Sequence, residues 1–209
     1  MRRRTQFARY SALLPGLLLI VALGGCRKAP KPEEDPLYQA GMWSDTIQQL
    51  RGLQVSDSEV MEIVKAHGAG FSDEDCVAMV KLSRSRNKMF TDGDAIAGLL
   101  HVGVSEPNVM ALARLNQLGV WAVDLEGIRL AGYSDKVVMA VAQRRAAGQA
   151  TVSGTSLVEL KNTGISEPQV LAQIDRGLSD EQAGQIIAEH QHAEMPHGFV
   201  RKASSKHHS

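Results

Sequence analysis

Six copies of one short motif constrain this chain more than any other feature. Ser56, Ser72, Ser105, Ser134, Ser166 and Ser179 are each followed by an acid: Asp57, Asp73, Glu106, Asp135, Glu167 and Asp180. Each is preceded by an apolar residue: Val55, Phe71, Val104, Tyr133, Ile165 or Leu178. Two positions before the serine stands a glycine in five copies, Gly70, Gly103, Gly132, Gly164 and Gly177, while Gln54 takes that place in the first. Two copies share the longer string Gly-x-Ser-Glu-Pro, at Gly103 and Gly164.

The motif reads as punctuation between helices. A serine beside an acid starts a helix, because the hydroxyl accepts an orphan backbone N–H and the carboxylate sits in the positive first turn. Glu59, Gln169 and Gln182 stand three residues beyond their serines and complete capping boxes. Pro107 and Pro168 fall inside the first turn, where no intrahelical N–H bond is lost. The glycine just past an apolar stripe supplies a left-handed C-terminal cap for the preceding helix. Positions four, five and eight after the serine are mostly apolar: Val60, Met61 and Val64; Val109, Met110 and Ala113; Val138, Met139 and Ala142; Val170, Leu171 and Ile174. That spacing draws one stripe along a helix.

The steps from Gly103 to Gly132 and from Gly132 to Gly164 are similar in length, so the unit is a helical hairpin of about 30 residues. The fold class expected is all-α: tandem short hairpins in one compact or short solenoid-like domain over residues 37–193. Only "GQATVSG" reads as an extended piece. Residues 194–209 are polar and aperiodic, and are expected to form a flexible tail.

The N-terminus carries a different signal. Arg2, Arg3, Arg4 and Arg9 precede a mostly apolar stretch that runs from Ser11 to Leu23. That is the length of a signal-peptide core and too short to span a bilayer as a helix. It ends in Leu23-Gly24-Gly25-Cys26, which resembles the lipobox of bacterial lipoproteins. The resemblance covers the export segment alone. It implies cleavage between Gly25 and Cys26, removal of residues 1–25, and acylation of Cys26, whose chains would hold the protein on a lipid bilayer. Residues 26–36, "CRKAPKPEEDP", then read as a tether. In Gram-negative lipoproteins an aspartate after the cysteine signals inner-membrane retention. Arg27 stands there instead, which points to the outer membrane facing the periplasm.

The rest narrows the chemistry. Residues 1–25 hold four arginines and no acid, leaving 19 basic and 23 acidic residues behind them, a poor balance for binding nucleic acid. Helix-hairpin-helix DNA-binding receptors have a similar glycine turn, but here serine replaces their second glycine and an acid follows where phosphate would approach. The turn in "GAGFSDEDC" is similar to that of ubiquitin-associated domains, and the likeness stops at the turn. With Cys26 acylated, Cys76 has no disulfide partner and is expected to be a small buried residue.

No Gly-x-Ser-x-Gly turn exists, and the repeated acids are expected to serve helix starts rather than to act as the carboxyl pair of an envelope-polymer hydrolase. His190, His192, His197, His207 and His208 are expected to be solvated rather than a metal site. Trp121 is expected in the core, locking neighbouring hairpins, rather than anchoring a groove. No catalytic residue, metal or cofactor is expected. The partner expected is an envelope protein, a peptide or a glycan.

Overall fold

A computed structural model describes residues 34–194. The lipobox, Gly25, Cys26, most of the tether, and His197, His207 and His208 lie outside the described residues. The described chain is all-helical. In order come α1 (Pro36–Gln39), α2 (Ser44–Gly52), α3 (Asp57–Gly68), α4 (Asp73–Ser85), α5 (Gly93–His101), α6 (Glu106–Arg114), α7 (Ala122–Leu130), α8 (Asp135–Ala146), α9 (Gly154–Asn162), α10 (Glu167–Arg176) and α11 (Asp180–Glu194). A 3-10 turn at Gly119–Trp121 leads into α7.

The helices form two layers. Odd-numbered helices pack in sequence, α1 on α3, α3 on α5, α5 on α7, α7 on α9 and α9 on α11. Even-numbered helices do the same from α2 to α10. Each hairpin contributes one helix to each layer, as in a helical-repeat array whose units bury one face on their neighbours. The core between the layers is largely aliphatic, with Leu50, Ile63, Val80, Ile96, Leu112, Leu125, Val141 and Leu157 fully buried beside Phe71 and Phe90. Tyr133 is buried among them, and its hydroxyl donates to the Leu157 carbonyl at 3.0 Å.

The turns explain the glycines. Gly70, Gly103, Gly132, Gly164 and Gly177 all have φ between +79° and +101°, a region closed to most L residues. Gln54 adopts φ +54° in the first copy, and Asn87 and Asn116 do likewise after α4 and α6. The apolar residue after the glycine then folds back: the Phe71 and Val104 amides donate to the Ala66 and Leu99 carbonyls, and both side chains are buried.

Three expectations change. The expected α3 stripe holds only in part: Val60 and Val64 are half-buried against the core, but Met61 is exposed, and the helix centres its buried face on Glu59, Ile63 and Ala66. As an odd-layer helix, α3 is wedged between α1 and α5, so its buried face is turned from that of the even helices. "GQATVSG" forms no strand; it joins α8 to α9 and buries Val152. Trp121 is 42% exposed and is not a core residue. It ends a 3-10 turn whose hydrophobic contribution to the core comes from Leu118 and Ala122 on either side.

Candidate functional site

The repeated serines and acids do more than start helices. The Glu106 carboxylate, at the head of α6, accepts the backbone N–H of Ser72, at the head of α4, at 2.6 Å. Asp73 takes the Trp43 amide at 2.8 Å. Asp135 takes the Ser105 amide at 3.0 Å and its hydroxyl at 2.9 Å. Glu167 takes the Ser134 amide at 3.0 Å together with its hydroxyl. Each even helix thus lends its first carboxylate to the N-cap of the even helix before it. Burial pushes the Glu106 and Asp135 carboxyls up, but the hydrogen bonds they accept outweigh it and hold both below the usual carboxylate range. Glu167 is held down chiefly by the Ser134 hydroxyl.

Among the described residues the ladder ends at α10. Ser166 has no following even helix among the described residues, and its amide and hydroxyl both donate to Gln169 Oε1, at 3.1 and 2.7 Å. In the odd layer, Asp180 reaches back to the Ser153 amide at 2.7 Å. Glu62 and Asp124 instead reach forward to the first amides of α5 and α9, Gly93 and Gly154. A Cβ at either glycine would come within 2.6 Å of the Glu62 or Asp124 carbonyl oxygen, so these helix starts require glycine. At the opposite helix ends, cations serve the same purpose: Arg86 donates to the Arg114 carbonyl at 2.9 Å and Arg129 to that of Gly103 at 3.0 Å.

The serines therefore differ in what their hydroxyls do. Ser56, Ser72, Ser134 and Ser179 accept the amide of Glu59, Asp75, Lys136 and Gln182, respectively. Ser105 stands at the α6 N-cap but accepts no capping amide; its hydroxyl turns to Asp135 because that carboxylate already grips its N–H. Ser153, at the head of α9, is a further cap, with the Ser156 amide at 3.2 Å. It escapes the motif because glycine, not an acid, follows it.

Against this frame of occupied polar groups, two features face outward. Both tryptophans of the chain are exposed, and each borders a groove on the even layer. Trp43 is 75% exposed. Its ring projects from the α2 N-cap while Asp73 holds its backbone, and it lines a groove of about 680 Å³ with Thr46, Gln49, Glu74, Ala78 and Lys81. Trp121 lines a smaller groove of about 270 Å³ with Met79, Ser83, Lys88, Met89 and Asn116. Met89 and Val120 beside it are exposed as well. The Arg145 guanidinium stacks 4.6 Å from the Trp121 ring centre and is paired with Asp124, which fixes the indole without covering it. Asp92, in the wall of this groove, is raised above the usual carboxylate range by burial.

The other reactive groups are spent or shielded. The Ser105 and Ser166 hydroxyls donate to Asp135 and Gln169. His67 Nδ1 lies 3.0 Å from the Phe71 carbonyl, within its own hairpin. Burial pushes the Cys76 thiol up to about 12. Among the described residues no group of three or more His, Cys, Asp or Glu side chains is placed to hold a metal ion. No known family model matches the chain, nor does any curated protein or solved structure, so the two grooves stand on their geometry alone.

Proposed function

We propose that the chain is a non-catalytic binding module of the cell envelope, held on a membrane through an acylated Cys26 and presenting its even layer to a protein, peptide or glycan. The observation that carries this reading is the exposure of both tryptophans at grooves, in a chain that buries the large aromatics Phe71, Phe90 and Tyr133 in its core. Tryptophan concentrates binding energy where it is rigidly held and half-covered, because it offers a large apolar face and one N–H donor. Trp43 is held by its Asp73-bound backbone and Trp121 by Arg145.

The internal ladder supports setting DNA binding aside. The N-cap amides of Ser72, Ser105 and Ser134, which would have to greet phosphate, already bind carboxylates of the same chain. It also argues against a hydrolase, since Asp73, Glu106, Asp135, Glu167 and Asp180 accept backbone amides and the Ser105 and Ser166 hydroxyls are committed to side-chain oxygens.

The test is capture from detergent-solubilised envelopes by the lipidated protein, run beside Trp43→Ala and Trp121→Ala variants. Specific capture that one of these substitutions reduces at least tenfold supports the reading. Capture unchanged by both removes the grooves from consideration.

A further inference from the structure

Among the described residues the stack of hairpins ends on an odd-layer helix. α11 lies in the odd layer against α9, and among the described residues no even helix follows it to pack on α10. The position such a helix would cover is a groove of about 170 Å³ walled by Leu160, Ile165, Val170, Leu178, Ile186 and His190. Its mark is Ile165. In the earlier hairpins the residue after the turn glycine, Met42, Phe71, Val104 or Tyr133, is buried, whereas Ile165 is only half-buried.

The chain beyond Glu194 carries what the groove lacks. In sequence, Gly198-Phe199 repeats the glycine–apolar pair of Gly164-Ile165, about one repeat length further along and in step with the pairs at Gly103, Gly132 and Gly164. The copy is partial in an informative way. Where the earlier units have serine and then an acid, this one has Val200 and Arg201, so it offers no carboxylate to the Ser166 amide. That amide is the one already taken by Gln169 within its own helix. Polar rung and acid are missing together, while the apolar half of the motif is kept. The short link from Glu194 to Phe199 has a reach of up to about 17 Å, and Ile186 and His190 of α11 themselves line the groove.

We propose that the segment carrying Gly198 and Phe199 occupies this groove, with Phe199 against Ile165, Val170 and Ile186 as a terminal cap for the array. Array ends expose the apolar face that an inner unit would cover, and they need a dedicated cap. The proposal does not depend on the binding role given to the tryptophan grooves.

The test is cross-linking in the full chain carrying Cys26→Ser, with Ile165→Cys and Phe199→Cys introduced together. Cys76 is buried and does not compete. Mild oxidation is expected to give a monomer with an internal disulfide, seen as a faster band on a non-reducing gel. A disulfide-linked dimer would show that a second copy fills the groove, and absence of any cross-link would show that the tail does not; either overturns the proposal. A second measurement avoids engineered thiols. Phe199→Asp is expected to lower Tm by several degrees and to speed amide exchange at Val170 and Ile174, with Phe199→Leu recovering most of both. Equal Tm and exchange in wild type and Phe199→Asp would also overturn it.

Discussion

Asp135 Oδ2 stands within 3.0 Å of three donors at the head of the neighbouring helix: the Ser105 amide, the Ser105 hydroxyl and the Asn108 side-chain amide. A carboxylate with this many partners on another unit is a joint between units.

Asp135→Ala is expected to cost about 1–3 kcal/mol, because it removes a charged acceptor shared by three donors of the neighbouring unit. Asp45→Ala removes a first-turn charge that is exposed on α2, and should cost about 0.3–1 kcal/mol through the helix dipole alone. Urea unfolding of the two variants measures the difference. Equal effects would return the acids to the simpler role of helix-start charges.

Glu59 should dominate the response to acid. Arg84 grips it at 2.6 and 2.8 Å, the Ser56 and Phe90 amides add further bonds, and its carboxyl is lowered from 4.5 to about 2. Because the folded value lies below the unfolded one, this stability is complete above about pH 4.5 and is lost as pH falls from there towards 2. The gap corresponds to about 3 kcal/mol. Glu59→Gln should lose most of that at pH 7 and flatten the stability profile between pH 5 and pH 2, as followed by circular dichroism.

Cys76 should be silent to thiol reagents in the folded protein. Its thiol is buried and pushed up to about 12, with Asp73, Asp75 and Glu106 opposing ionisation after burial itself. Reaction with a disulfide reagent is expected only after unfolding in guanidinium. Rapid labelling at neutral pH would contradict the packing of α4.

Arg145→Met should leave the fold in place and loosen Trp121. The stacked guanidinium contributes about 0.5–2 kcal/mol of cation–π attraction, and its partner Asp124 also secures the start of α9. Tryptophan emission should shift to the red and acrylamide quenching should rise. The Trp43→Phe background isolates the Trp121 signal.

Lipidation is tested at Cys26. Cells expressing the full chain in labelled palmitate should transfer label to the wild-type protein and none to Cys26→Ala. Label on the Cys26→Ala protein would refute acylation at this position.

The glycine–apolar–serine turns could be read from the chain because each depends on residues adjacent in sequence. A positive φ at Gly132 and an N-cap at Ser134 follow from local chemistry. The division into odd and even layers was not legible, because it depends on which face each helix turns to partners a whole repeat away. Met61 shows the consequence: it fits a stripe by spacing and still faces solvent, since α3 packs between α1 and α5. Trp121 misleads for a related reason, as an aromatic residue between two helices becomes core only if something closes over it, and here Arg145 holds it at the surface. The ladder left a trace in the sequence, the acid recurring after every serine of the motif. Its first-turn role was explanation enough for each copy taken singly, and only the register between copies reveals the second one.

The joints of the ladder also bear on how such a chain can change over generations. Every rung needs an acid at one position and a free N-cap amide in the preceding copy, and nothing from units farther away. A duplicated hairpin therefore arrives with both requirements met, able to accept from the copy before it and to be gripped by the one after. Loss of a whole unit rejoins the ladder by the same rule. Gly41, Gly70, Gly103, Gly132 and Gly164 mark where such gains and losses leave the rest undisturbed, and at α10 the Ser166 amide is taken by Gln169 of its own helix.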